Sequence, residues 1–135
     1  MKMTATSSDD SERTLKIGKV ILVGSNEETI LARRLRAAGC DVVTVQDGAT
    51  ALERTRREFF SGAVLVARGS FINVTETIFN LRDINPSMEV IVVLERGGKN
   101  ANRYVRQLLS HPIAGTKVLT RRELQERLQT QRLGG

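Results

Sequence analysis

Ala38-Gly39-Cys40-Asp41-Val42-Val43-Thr44-Val45-Gln46-Asp47-Gly48-Ala49-Thr50-Ala51-Leu52 carries three backbone instructions in immediate succession. Gly39 ends a helix, because a glycine just past a helix terminus adopts positive φ without a Cβ clash. Asp41–Val45 is a short β-branched run and reads as a strand. Asp47-Gly48 then turns the chain into a second helix, with Ala51, Leu52 and Thr55 facing inward and the helix running to Phe59. Helix, strand and helix following one another this closely predict an alternating α/β chain.

The same alternation extends in both directions. Upstream, Leu31, Leu35 and Ala38 fall on one face of a helix over residues 27–38, while Arg33, Arg34 and Arg36 fall elsewhere. Before it, the apolar run Lys19-Val20-Ile21-Leu22-Val23 is bounded by Gly24-Ser25-Asn26, as a buried strand would be. Downstream come a strand at 63–66 and a helix at 75–82, with Asn73 and Glu76 spaced as an N-cap and its returning carboxylate. Asn85-Pro86 breaks the chain before a strand at 90–94, and a short helix at 102–109 stops at His111-Pro112. Residues 116–119 read as the end of a fifth, weaker strand. Thr120-Arg121-Arg122-Glu123 is a capping box opening a last helix, with Leu124 and Leu128 on its apolar side.

Five strands therefore alternate with five helices. The central strands are continuously apolar, so both faces of the sheet are covered. Right-handed crossovers then give a parallel, doubly wound sheet, in which ligands bind beyond the carboxyl ends of the strands. One domain is expected over residues 16–132, with a flexible polar tail at 1–15 and a frayed end at 133–135.

Composition limits what such a domain can do. The chain has 135 residues, of which 40% are hydrophobic and 4% aromatic, with no Trp, so its core is aliphatic. No apolar run approaches the roughly 18 residues of a membrane span. The opening residues lack the apolar stretch of a signal peptide. A lone Cys40 excludes an internal disulfide, and a cytoplasmic location is the expectation. The net charge of +6 favours acidic partners without choosing among nucleic acid, an anionic surface and an acidic protein.

From Lys19 to Leu128 the chain resembles the response-regulator receiver family. The resemblance rests on Val20-Ile21-Leu22-Val23, on the stretch from Ala38 to Leu52, and on Lys117-Val118-Leu119-Thr120-Arg121-Arg122-Glu123-Leu124, where Val118 replaces the usual proline. It implies a flavodoxin-like (βα)5 fold with strand order 2-1-3-4-5. It also implies a phosphorylation pocket made of an acidic pair after the first strand, an Asp ending the third, a hydroxyl after the fourth, and a Lys and an aromatic in the fifth. Carried over by position, the acidic pair falls on Gly24 and Ser25, the phosphoacceptor on Ala67, the hydroxyl on Leu94 and the aromatic on Ala114. Lys117 alone matches.

Those replacements remove the chemistry. Mg²⁺ seeks hard oxygen ligands, usually carboxylates, and an alanine has no nucleophile. Residues 64–71 hold no Asp or Glu for a register slip to recruit. No metal, cofactor, Mg²⁺ dependence or enzymatic activity is expected. The reading is a pseudo-receiver: a phosphorylation-independent signalling module of a bacterial two-component-type pathway that works by protein contact or self-association. The resembled fold places the possible interface at Tyr104, Val105, Leu108, Val118 and Arg122.

Two alternatives stand beside it. Lys117 and the glycine-bearing strand ends (Arg68-Gly69-Ser70 and Glu95-Arg96-Gly97-Gly98-Lys99) suit a small-ligand or nucleotide sensor, although no Gly-x4-Gly-Lys-Ser/Thr loop is present. Arg33, Arg34 and Arg36 on the first helix, with Arg121 and Arg127 on the last, suit a basic nucleic-acid-binding patch, because the resembled fold puts these helices on one sheet face. Few aromatics are available to stack bases. His111, the only histidine, reads as a loop residue, and Cys40 as a small buried apolar group.

Overall fold

The structure, a computed structural model, describes residues 18–24, 29–67, 74–94 and 103–134, without the side chains of 29, 67, 103–105 and 131–134. The described elements are β1 (Lys19–Val23), α1 (Thr29–Ala37), β2 (Asp41–Val45), α2 (Gly48–Arg57), β3 (Gly62–Ala67), α3 (Val74–Ile84), β4 (Glu89–Leu94), α4 (Arg103–Ser110), β5 (Thr116–Thr120) and α5 (Arg121–Gly134). The strands form one parallel sheet in the order β2-β1-β3-β4-β5. The expected doubly wound α/β architecture and strand order are both present.

Alternating side chains along each strand feed two cores. Val20, Leu22, Val64, Val66, Ile91, Val93 and Leu119 pack with Leu31 and Leu35 of α1 and Leu124 and Leu128 of α5. Ile21, Val23, Leu65, Val90 and Val92 pack on the other face with Ala51 of α2, Ile78 and Leu81 of α3, and Leu108 of α4. The central strands are buried almost throughout, whereas the edges β2 and β5 alternate. Each edge lacks a neighbour on one side, which is why β5 reads weakly in the sequence.

Local chemistry sets the element ends. Gly39 has φ +105°, as the C′ position requires. Asp47 caps α2 by accepting from Thr50 N at 2.8 Å, so the helix starts at Gly48 and ends at Arg57, two residues short of the sequence reading. The Thr120–Glu123 capping box is reciprocal: Thr120 N donates to Glu123 Oε1 at 2.9 Å, and Glu123 N donates to Thr120 Oγ1 at 3.0 Å. Thr120 is thus both the last residue of β5 and the cap of α5. That helix runs through Leu133 and Gly134, past the expected frayed boundary. The Asn73 cap, the segment at 1–15, the glycine runs at 68–70 and 95–99, and Gly135 lie outside the described residues.

Candidate functional site at the carboxyl end of the sheet

The strand register places each candidate residue. Ala67, the last residue of β3, pairs with Leu94, the last of β4, and Leu94 pairs with Thr120, the last of β5. This row crosses the carboxyl edge of the sheet. Gly24 follows β1 at the same end, is buried, and donates its N–H to Val45 O at 2.9 Å. Ser25 lies outside the described residues. Leu94 is half-buried and packs on the α2–α3–α4 core.

Two assignments carried over from the resemblance need correction. Lys117 pairs with Ile91, three residues short of the end of β4, and is exposed. It belongs to the amino-terminal part of β5, beside Glu89, Gly115 and Thr116, and not to the row of strand ends. Ala114 lies in the turn before β5 and is exposed. The strand-end position that the lysine was expected to hold is Thr120, and three residues upstream of it, where an aromatic was sought, stands Lys117. The cause is register: residues 116–119 begin the strand and do not finish it. Thr120 is the strand-end position that sequence reasoning missed. Its capping-box signal was legible, but it pointed only to the helix.

Chemically, the row offers little. Ala67 has no nucleophile, Leu94 has no polar atom, and the Thr120 hydroxyl already accepts from Glu123 N. Among the described residues, the Asp47 and Glu123 carboxylates are committed to helix caps. Hydrogen bonds from Thr50, its backbone N–H first, hold the Asp47 carboxyl below its ordinary range. Among the described residues, no three His, Cys, Asp or Glu side chains come together. Cys40 is buried, and burial pushes its thiol pKa up, which disfavours the thiolate.

The interface residues also sort differently. Leu108 is 3% exposed and belongs to the core, whereas its neighbour Leu109 is 57% exposed. Successive residues lie about 100° apart around a helix, so one of two adjacent leucines turns outward. Val118 is half-buried against the same core, and Arg122 is exposed, 3.5 Å from Glu126. The side chains of Tyr104 and Val105 are outside the described set.

The five candidate arginines have different surroundings. Arg34 lines a groove between α1 and α5; Arg33, Arg36, Arg121 and Arg127 do not. Arg36 lies about 200° around the helix from Arg34 and donates to Val42 O of β2 at 3.0 Å. Arg33 and Arg127 are exposed, and Arg121 is half-buried and engaged.

No protein-family model matches the chain. No curated protein matches it either. Among solved structures, a response-regulator receiver domain protein from Methanospirillum hungatei aligns with a TM-score of 0.57 and 17% identity, over 89% of this chain and all of that one. The Vibrio cholerae chemotaxis protein CheY4 aligns with a TM-score of 0.63 and 16% identity, over 85% of this chain and 95% of that one. A Burkholderia pseudomallei response regulator that carries a phosphorylated aspartic acid aligns with a TM-score of 0.60 and 18% identity, over 87% and 69%. The chain is a doubly wound flavodoxin-like protein. Within that class it has the CheY-like receiver fold. No helix among the described residues is long and apolar enough to cross a membrane.

Proposed function

We propose that this chain is a receiver-like module of a two-component-type signalling pathway that acts without phosphorylation, by contacting a protein partner or a second copy of itself. One observation carries the reading: in the row Ala67–Leu94–Thr120 at the strand ends, an alanine stands where phosphoryl transfer needs a carboxylate nucleophile. With no acceptor there, the domain has no phosphorylation-driven shift between states, and its output rests on surface contacts. Leu109, Lys117 and Arg122 are among the exposed groups of α4, β5 and α5 that such a contact has available. Neither catalysis nor a cofactor belongs to this reading.

The test is incubation with acetyl phosphate and Mg²⁺, followed by intact-mass measurement and thermal denaturation. The expected result is no 80 Da adduct and a melting temperature indifferent to Mg²⁺. A stoichiometric adduct would overturn the proposal. Ala67→Asp is expected to remain unmodified too, because the acid pair that binds the metal is also missing. Capture of a protein partner that persists at high salt and is lost in Leu109→Ala would sharpen the reading. Recovery of nucleic acid alone, lost at high salt, would replace it.

A further inference from the structure

The groove between α1 and α5 lies on a different surface from the strand ends. It has a volume of about 140 Å³ and is lined by Arg34, Ala37 and Ala38 of α1 and Gln125, Leu128 and Gln129 of α5. Among the described residues, its lining combines the apolar Ala37, Ala38 and Leu128 with one guanidinium and two primary amides. No carboxylate among the described residues pairs with Arg34. Exposed Ile30 stands one turn before Arg34 on the same helix. A guanidinium with amide donors and a small apolar lining suits a short acidic segment of polypeptide.

The chain supplies such a segment. Asp9-Asp10-Ser11-Glu12 is its only run with three acidic residues in four positions. Residues 1–17 hold three acids (Asp9, Asp10, Glu12) and three bases (Lys2, Arg13, Lys16), so they are neutral and the rest of the chain carries the whole +6. The segment joins the fold beside the groove. Gly18 O accepts from Asp41 N at 2.9 Å, and Asp41 follows the groove residue Ala38 by three positions. Arg34 lies about one helical turn, roughly 6 Å, from Ala38. Glu12 and Asp9 precede Gly18 by six and nine residues, which span up to roughly 20–30 Å when extended. Reach is ample, and tethering raises the effective concentration of the segment at the groove.

We propose that the acidic stretch Asp9–Glu12 docks intramolecularly on the α1–α5 groove, with its carboxylates on Arg34 and within reach of the Gln125 and Gln129 side-chain amides. The N-terminal segment then occupies this face and withholds it from other molecules.

The test uses the full chain. Side-chain NMR signals of Arg34 Nε–H and of the Gln125 and Gln129 amides are recorded for the wild type and for a triple variant, Asp9→Asn, Asp10→Asn and Glu12→Asn. The expected result is that all three sets of signals move in the variant, that 0.5 M salt moves the wild-type signals to the same positions, and that dilution changes nothing. A charge swap adds a second reading: Arg34→Glu alone abolishes the wild-type positions of the Gln125 and Gln129 signals, and adding Asp9→Lys, Asp10→Lys and Glu12→Lys restores them. Signals identical in wild type and triple variant would overturn the proposal. So would a wild-type shift that fades on dilution, which would make a second copy the occupant, or a swap that fails to restore the signals.

Discussion

The two ends of the sheet are built differently. At the amino end, side chains from separate elements tie the fold together. Lys19 of β1 contacts Glu58 at 2.6 Å, and Arg54 of α2 holds the same carboxylate at 2.7–2.8 Å, with the Lys19 ammonium 5.4 Å from the centre of the Phe60 ring. Asn85 donates to Phe60 O at 2.7 Å. Arg82 of α3 donates to Met88 O at 2.9 Å and also to Ala114 O, clamping the approach to β5. Gly115 has φ +78° and lies so close that a Cβ there would run into that guanidinium. At the carboxyl end, the described side-chain contacts are local: the Asp47 cap and the Thr120–Glu123 box. One end is cross-linked, while the end where receivers carry out phosphoryl transfer holds an alanine and a leucine. Among the described residues, the side-chain ties between separate elements therefore gather at the amino end.

Substitutions at the two ends should separate accordingly. The largest effect is expected for Phe60→Ala, which empties a fully buried site at the amino end. A loss of about 3–5 kcal/mol in urea denaturation follows from Phe→Ala cavities, and a loss under about 1 kcal/mol would break the comparison. Next, Arg82→Met removes two charge-assisted hydrogen bonds to carbonyls but keeps the stem. About 1–3 kcal/mol is expected, allowing for partial exposure, and stability equal to wild type would show that the clamp is idle. At the opposite end, Thr120→Ala breaks the capping box and should cost about 1 kcal/mol. A cost above that of Arg82→Met would reverse the proposed ranking of the ends.

The smallest effect concerns pH. Hydrogen bonds from Lys19 and then Arg54 hold the Glu58 carboxyl below its ordinary 4.5. A depressed folded value means that the ionised form favours the fold, so this contribution is complete above 4.5 and disappears as pH falls through the lowered value. Glu58→Gln should therefore be less stable than wild type at pH 7, with the two curves converging in acid. Parallel curves from pH 7 to pH 3 would show that the Lys19–Glu58–Arg54 cluster contributes nothing.

Most of the fold was readable in order along the chain. Gly39, Asp47-Gly48 and Thr120–Glu123 act through neighbours within a few residues, and each does structurally what its chemistry predicts. The site was readable only where it depends on residue identity. Ala67 cannot be a nucleophile in any register, and Leu94 ends its strand as expected. Lys117 and Ala114 were placed by likeness along the chain, and both stand elsewhere. Leu108 and Leu109 could not be told apart by type, and the arginines of α1 could not be assigned to one surface by counting.

Sequence by itself determined the alternation of elements, the two-sided burial of the central strands and the absence of an acidic nucleophile at Ala67, because periodicity, capping and side-chain chemistry are local properties. Only the tertiary structure decided that Thr120 and not Lys117 completes the row of strand ends, that Leu109 is the exposed leucine, and that Arg34, not Arg33 or Arg36, lines the groove with α5. Those facts depend on which backbone groups pair across the sheet and which flank of a helix meets its neighbour, and both are settled by contacts between residues far apart in the chain.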